Sequence, residues 1–236
     1  MMLWYKAWLE TRIRFGIALV LCVAFCSELI VSLPREGAGN VDLVGLHGVH
    51  TALVFVWILG VTLLMMGGLL SEKAIGSSSF TLSLPASRLH HMTVRTLVGF
   101  IESIALAVAS WTAMLILAGS NGESWRYIAQ AGFHVLLLLA GGSVLLALAL
   151  VLSTLIEGEY IAPIASLGII ILLAYTFSGS DFLAYSPIAF MTGLKYFSHH
   201  TGALTGTVPW LPALGFIAVV ICLFAISVKI IEHRDF

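Results

Sequence analysis

Charged residues are scarce in this sequence, and so is proline. Asp, Glu, Lys and Arg make up only 10% of the 236 residues, and six residues are proline. Soluble domains have about 25% charged residues, so a water-soluble globular protein is excluded. The net charge of −1 gives no indication that the chain binds nucleic acid.

Cysteine is nearly absent as well. Cys22, Cys26 and Cys222 all lie in apolar runs, and this pattern predicts no disulfide framework. Cys22 and Cys26 are four residues apart and share one helical face. Such a pair suits a metal or redox site, or close packing of small side chains, which we expect here.

The motifs of common catalytic sites are missing. The chain has no G-x-x-x-x-G-K-[ST] loop for nucleotide phosphates, no H-E-x-x-H zinc motif and no G-x-S-x-G nucleophile motif. Ser77, Ser78 and Ser79 have no base near them in sequence, although a serine nucleophile needs one. We therefore expect no enzymatic activity in this chain. Residues 1–14 also lack the features of a cleavable signal peptide.

Long hydrophobic runs dominate what is present, since 60% of the residues are hydrophobic. A helix needs about 20 apolar residues to cross a bilayer. The pattern predicts an all-α polytopic membrane protein whose single transmembrane domain covers residues 1–236. Its six predicted spans are 15–33, 49–70, 96–118, 131–156, 164–177 with part of its flanks, and 210–231.

Three segments between or before the spans stand out. Residues 3–14 have aromatic and charged faces, which is typical of an interfacial helix, or else they extend the first span. Residues 71–95 form a polar, Ser-rich stretch. Residues 178–208 are too broken by Gly and Pro to span, yet too apolar for an ordinary loop. Short re-entrant helices covered by protein are predicted for this last segment.

The distribution of basic residues predicts the orientation. Eight of the eleven Lys and Arg residues fall on the side that carries both termini and residues 71–95, and this side is therefore predicted to be cytoplasmic. These eight are Lys6, Arg12, Arg14, Lys73, Arg88, Arg95, Lys229 and Arg234, whereas Arg35, Arg126 and Lys195 fall outside.

Two glutamates lie inside predicted spans, where a carboxylate is costly and often functional. Glu28 lies in the first span and Glu102 in the third. Glu102 should share a helix face with Arg95, about 10 Å away along the axis. Either glutamate could line a translocation path, or could have a structural role.

Five histidines fall at the predicted outer ends of the spans and in the broken segment. They are His47, His50, His134, His199 and His200. Their convergence on one metal or haem site is one interpretation, because imidazole binds zinc, copper and haem iron. Ordinary histidines at a water boundary are the other.

The polar stretch 71–95 has features of a short helix. Ser71 is suited to cap a helix whose first turn contains Glu72, and Pro85 later breaks the chain. A helix packed under the bundle by Phe80 would present a polar face to a partner. A plain cytoplasmic loop is the alternative.

Several motifs of this chain resemble those of the ABC-2 type permeases, the membrane subunits of ATP-binding-cassette exporters. The family pattern is E-x-x-x-G-[T/S], then L-L-S-L-P-[V/A]-S-R and a basic residue some seven positions on, and the stretch 71–95 is similar to it. The matching residues are Glu72, Gly76, Ser77, Leu82, Ser83, Leu84, Pro85, Ala86, Ser87, Arg88 and Arg95. Lys6, Glu10 and Arg12 match the family's K-x-x-x-E-x-R pattern, and the final EHRDF resembles its tail.

The resemblance implies a coupling helix, formed here by Glu72, Lys73, Gly76, Ser77 and Phe80, that docks on a separate P-loop ATPase subunit. It implies that ATP and Mg²⁺ are bound by that partner, and that a second permease copy or paralogue completes an exporter in the cell (inner or plasma) membrane. Two rival functions are a haem- or metal-binding membrane enzyme or electron-transfer subunit, and an ion-coupled carrier that uses Glu28 and Glu102.

Overall fold

The computed structural model is helical over nearly all the residues that it describes. These are 2–33, 43–65, 88–118, 124–156, 161–177, 186–193, 195–197 and 209–233. The helices in these ranges are α1 (Met2–Ser32), α2 (Leu43–Leu64), α3 (Arg88–Ala118), α4 (Ser124–Leu155), α5 (Ile161–Phe177), α6 (Pro187–Thr192) and α7 (Trp210–Glu232). Pro163 and Pro212 lie in the first turns of α5 and α7, where the missing N–H costs no helical hydrogen bond.

Five of these helices, namely α1, α2, α3, α4 and α7, are long and apolar enough to cross a membrane. The predicted multi-pass helical membrane protein is therefore confirmed. Helix α5 has 17 residues and is about 25 Å long, which is less than the roughly 30 Å of a hydrocarbon core. A sixth span thus remains a prediction.

Helix α1 runs without a break through residues 3–14 into the first predicted span. This segment therefore forms the first turns of α1, as in the second interpretation offered above. Helices α2, α3 and α4 likewise begin before the predicted starts at 49, 96 and 131. Hydropathy marks the apolar part of a helix, whereas backbone hydrogen bonding continues into its polar flanks.

Small side chains let α1 and α2 approach closely. A Cβ atom on Gly60 of α2 would lie 3.3 Å from Ala18 Cβ and 4.0 Å from Cys22 Sγ of α1. Cys22 and Cys26 are free thiols, and both are fully buried in the main hydrophobic core. The packing interpretation of this pair is therefore confirmed.

Helix α6 lies within the broken segment 178–208, where short helices were predicted. Pro187 is its first residue, and Gly193 ends it in the left-handed conformation with φ 72°. Glycine adopts this conformation without the steric penalty that a Cβ atom brings. After Gly193 the chain turns back, and the Tyr196 amide donates to the Gly193 carbonyl at 2.8 Å.

Helix α6 packs directly on the backbone of α4. A Cβ atom on Gly141 of α4 would stand only 2.6 Å from both Met191 Cγ and the Pro187 carbonyl oxygen. A Cβ atom on the adjacent Gly142 would collide with the Trp57 ring, whose indole N–H donates to the Ser103 carbonyl at 3.2 Å. Helices α2, α3, α4 and α6 thus meet around two glycines of α4.

Candidate functional site

All the residues of the predicted coupling helix lie outside the residues that the structure describes. These are Glu72, Lys73, Gly76, Ser77 and Phe80, together with the motif residues Pro85 and Ser87. The cytoplasmic coupling-helix prediction therefore stays a prediction. Arg88 is the first residue of α3, and Arg95 lies two turns further along the same helix.

Arg95 joins α3 to the N-terminal part of α1. Its guanidinium Nη1 donates to Glu10 Oε2 at 3.2 Å, and Lys6 Nζ lies 3.6 Å from Glu10 Oε1. The side chain of Arg95 is 16% exposed and that of Glu10 is 34% exposed. Both ends of this ion pair belong to the sequence patterns that resemble the ABC-2 family, although 85 positions separate them.

A second contact between the same helices lies next to the first. The Thr11 hydroxyl donates to Glu102 Oε1 at 2.5 Å, and the Glu102 side chain is almost completely buried. Glu102 Oε2 is buried and has no hydrogen-bond partner among the described residues. Since Arg95 and Glu102 both contact α1, the prediction that they share one face of α3 is confirmed. We call the contacts of Glu10, Thr11, Arg95 and Glu102 the α1–α3 polar contact.

Glu28 lies far from this contact. It is an exposed residue of α1, located 17 residues beyond Thr11, or about 25 Å along the helix axis. The structure therefore does not bring Glu28 and Glu102 together.

Three of the five singled-out histidines do converge. His47 and His50 from the N-terminal part of α2 meet His134 of α4, and the ring centroids of His50 and His134 are 4.4 Å apart. His50 and His134 are fully buried and His47 is 8% exposed. We call these three residues the histidine cluster. His199 and His200 lie outside the described residues.

Both nitrogens of His50 are used. The Trp111 indole N–H of α3 points at His50 Nδ1 at 3.3 Å, and His50 Nε2 lies 2.8 Å from the Met191 carbonyl oxygen of α6. Because an indole N–H can only donate and a carbonyl can only accept, His50 must be neutral with its proton on Nε2. One imidazole thus links α2, α3 and α6.

His47 and His134 form a direct imidazole pair. His47 Nδ1 is 3.0 Å from His134 Nε2, and His134 Nδ1 is 2.8 Å from the Gln130 carbonyl oxygen. The carbonyl fixes the proton of His134 on Nδ1. When the pair is neutral, His134 Nε2 therefore accepts the proton of His47 Nδ1.

Aromatic rings enclose the pair. Phe197, in the turn after α6, stacks on His134 with centroids 4.0 Å apart and planes inclined by only 13°. Phe197 also lies 5.1 Å from His47, and Trp111 lies 5.0 Å from His134. The segment around α6 thus contributes both a carbonyl and a ring to this site.

Metal binding was one interpretation of these histidines. In the ranges that the structure describes, no group of three or more His, Cys, Asp or Glu residues is arranged to hold a metal ion. In the histidine cluster, hydrogen bonds occupy both nitrogens of His50 and both of His134.

Several contributors to these sites were not anticipated from the sequence. Thr11, Trp111, Met191 and Phe197 have no local pattern that marks them, since each acquires its role from a residue on another element. The single usable signal was the buried carboxylate of Glu102, which calls for a nearby donor.

Comparisons of this chain with protein-family models, with curated proteins and with solved structures found no match.

Proposed function

We propose that this chain is the permease subunit of an ABC exporter, as its resemblance to the ABC-2 type permeases implies. A separate P-loop ATPase would bind ATP and Mg²⁺, and a second permease copy or paralogue would complete the transporter in the cell membrane. The multi-pass helical architecture suits a membrane subunit of this kind. The missing nucleotide-binding loop is expected when another chain hydrolyses ATP.

The observation that carries the proposal is the α1–α3 polar contact. Helix α3 begins at Arg88, directly after the stretch 71–87 that contains the proposed docking residues. Seven residues later Arg95 binds Glu10, and Glu102 then accepts a hydrogen bond from Thr11. A movement of the docking stretch would therefore displace α3 and, through these side chains, α1.

The same contact suggests where a substrate path would begin. One carboxylate oxygen of Glu102 has a hydrogen-bond partner and the other has none among the described residues. Much of the opposite face of α1 is exposed and apolar, with Ile13, Ile17 and Val20 each more than half exposed. In the proposed transporter, lipid or the second permease would cover that face.

The docking stretch provides the direct test. Glu72→Lys combined with Gly76→Pro would reverse a charge and break the proposed helix, so the partner ATPase should no longer co-purify. The variant must still appear in the membrane fraction and elute as a single species. Lys195→Glu, a charge reversal in the turn after α6, is the matched control and should retain the ATPase. Retained co-purification of the Glu72/Gly76 variant would contradict the docking assignment.

An ion-coupled carrier is the second candidate, favoured by the half-satisfied carboxylate of Glu102. Such a carrier would transport its substrate in proteoliposomes under an ion gradient and without a second protein. The ABC exporter would require ATP and the partner chain. A haem-binding subunit would instead have a Soret band in the purified protein.

A further inference from the structure

The segment that contains α6 is attached to the bundle by apolar packing and by contacts with two histidines. We call residues 186–193 and 195–197 the α6 segment. His50 Nε2–H donates to its Met191 carbonyl, and its Phe197 ring lies flat on His134. Phe190 provides a separate apolar anchor, with its ring 5.0 Å from that of Phe216 in α7.

The contact through His50 exists only while that imidazole is neutral. Nδ1 accepts from the Trp111 indole, and Nε2 donates to Met191. A proton added to Nδ1 would direct an N–H group at the indole N–H, and the two donors would repel. Protonation must therefore separate His50 from Trp111, and movement of the ring also disturbs its bond to Met191.

The hydrogen bond between His47 and His134 persists after one added proton but not after two. This hydrogen bond needs one donor and one acceptor. The Nδ1–H group of His134 already donates to the Gln130 carbonyl, so His134 Nε2 is the acceptor for His47 Nδ1–H. With one added proton the bond persists. With two, both facing nitrogens carry protons and the pair comes apart beneath Phe197.

Acidic side chains are nearly absent from the described helices around the cluster, and Glu28 of the neighbouring α1 is exposed. The sequences of α2, α4, α5 and α6 contain no Asp or Glu, and neither does α3 beyond Glu102. The titratable or basic groups of the elements packed around the cluster are Tyr127 and Arg126 of α4, Tyr175 of α5, Lys195 and Tyr196 of the α6 segment, and, near the other end of α3, Arg88, His90, His91 and Arg95. Tyrosine is neutral in the range where histidine titrates, and the basic residues are cationic, so none of these groups is a counter-ion for an imidazolium.

We propose that the histidine cluster is a proton-binding site that acts as a latch on the α6 segment. Protons taken up from water by the three imidazoles break the Trp111–His50–Met191 hydrogen bonds and the stack under Phe197. The turn after Gly193 then loses its contacts with His47 of α2 and His134 of α4, and its mobility increases. Phe190 contains no titratable group, so its contact with Phe216 keeps α6 itself attached. This latch does not depend on the permease assignment.

A spin label on the turn measures this release. Lys195 is exposed, so Lys195→Cys in a Cys222→Ser background offers an accessible thiol, while Cys22 and Cys26 are buried. Labelling precedes the pH change, and the label is then observed by electron paramagnetic resonance at about pH 8 and about pH 5, the range in which imidazole titrates. Ile128→Cys, on an exposed position of α4, is the matched control site.

We expect the Lys195 label to gain a mobile spectral component at the lower pH that disappears when the pH is restored. The Ile128 label should keep the same spectrum throughout. In His50→Gln/His134→Gln the mobile component should be lost, whereas His90→Gln, at an exposed histidine near the other end of α3, should retain it. Three results would overturn the latch: an unchanged Lys195 spectrum, equal mobility at both labelled sites, or a full response in the double variant. If the double variant does not fold, the spectra of the Lys195 and Ile128 labels in the protein with all its histidines still test the latch.

Discussion

Two glycines of α4 offer the sharpest test of how α6 is packed. Gly141 faces α6, and an alanine Cβ there would stand 2.6 Å from Met191 Cγ and from the Pro187 carbonyl oxygen. The carbonyl belongs to the backbone, so α6 itself must move. Overpacking of a well-packed site typically costs about 1–3 kcal/mol. Gly132, nine residues earlier in α4, has no atom within 4 Å of the corresponding position.

The two substitutions should therefore differ in their effect on the free energy of unfolding. Gly132→Ala should be neutral or stabilise α4 by up to roughly 1 kcal/mol, because alanine favours a helix over glycine. Gly141→Ala should lower the free energy of unfolding by about 1–3 kcal/mol. At roughly 2–4 °C per kcal/mol, the melting temperatures of the two variants should differ by several degrees.

The assay is thermal unfolding of detergent-solubilised protein, followed as the loss of the monodisperse peak on size-exclusion chromatography. Both variants make the same chemical change on the same helix, so helix propensity cancels in the comparison. Equal melting temperatures for Gly141→Ala and Gly132→Ala would refute the close approach of α6 to α4.

Further predictions concern the α1–α3 polar contact. Glu10→Arg or Arg95→Glu alone should destabilise the protein, and the double variant should recover about 0.2–1 kcal/mol in a double-mutant cycle, since Glu10 is one-third exposed. Additive effects of the two changes would contradict the ion pair. Glu102→Gln keeps an oxygen that can accept a hydrogen bond from Thr11, so the melting temperature should change little, while ATP hydrolysis by the proposed exporter should fall if Glu102 takes part in coupling. Unchanged ATP hydrolysis together with an unchanged melting temperature would show that Glu102 contributes to neither coupling nor stability.

The sequence predicts the membrane class, the positions of most helices and the burial of Glu102 because these depend on local composition. Most helix starts were predicted too late, since residues before each apolar run continue the hydrogen-bonded turns, whereas the ends near 33, 118, 156, 177 and 231 agree within one residue. The histidines of α2 were placed correctly at one end of the bundle, and one turn of spacing set His47 and His50 on one face.

The partners of these residues could not be predicted. Glu10 and Arg95 are 85 positions apart, and Thr11 and Glu102 are 91 apart. Hydropathy gives the depth and face of a side chain but does not tell which helices are neighbours. Close approaches at Gly60 and Gly141 help to determine that arrangement, and they depend on the shapes of both surfaces.

Helix α3 connects the two polar sites of the molecule. It is unbroken from Arg88 to Ala118, and it carries Arg95 near one end and Trp111 near the other, about 24 Å apart at 1.5 Å per residue. A rigid tilt of α3 about its middle that separated Arg95 from Glu10 would also move the Trp111 indole relative to His50. Thermodynamic linkage then requires reciprocity: proton uptake at the histidine cluster and opening of the α1–α3 polar contact would favour each other by the same factor. A change in pH at the histidine cluster would thus alter the α1–α3 polar contact at the opposite end of α3.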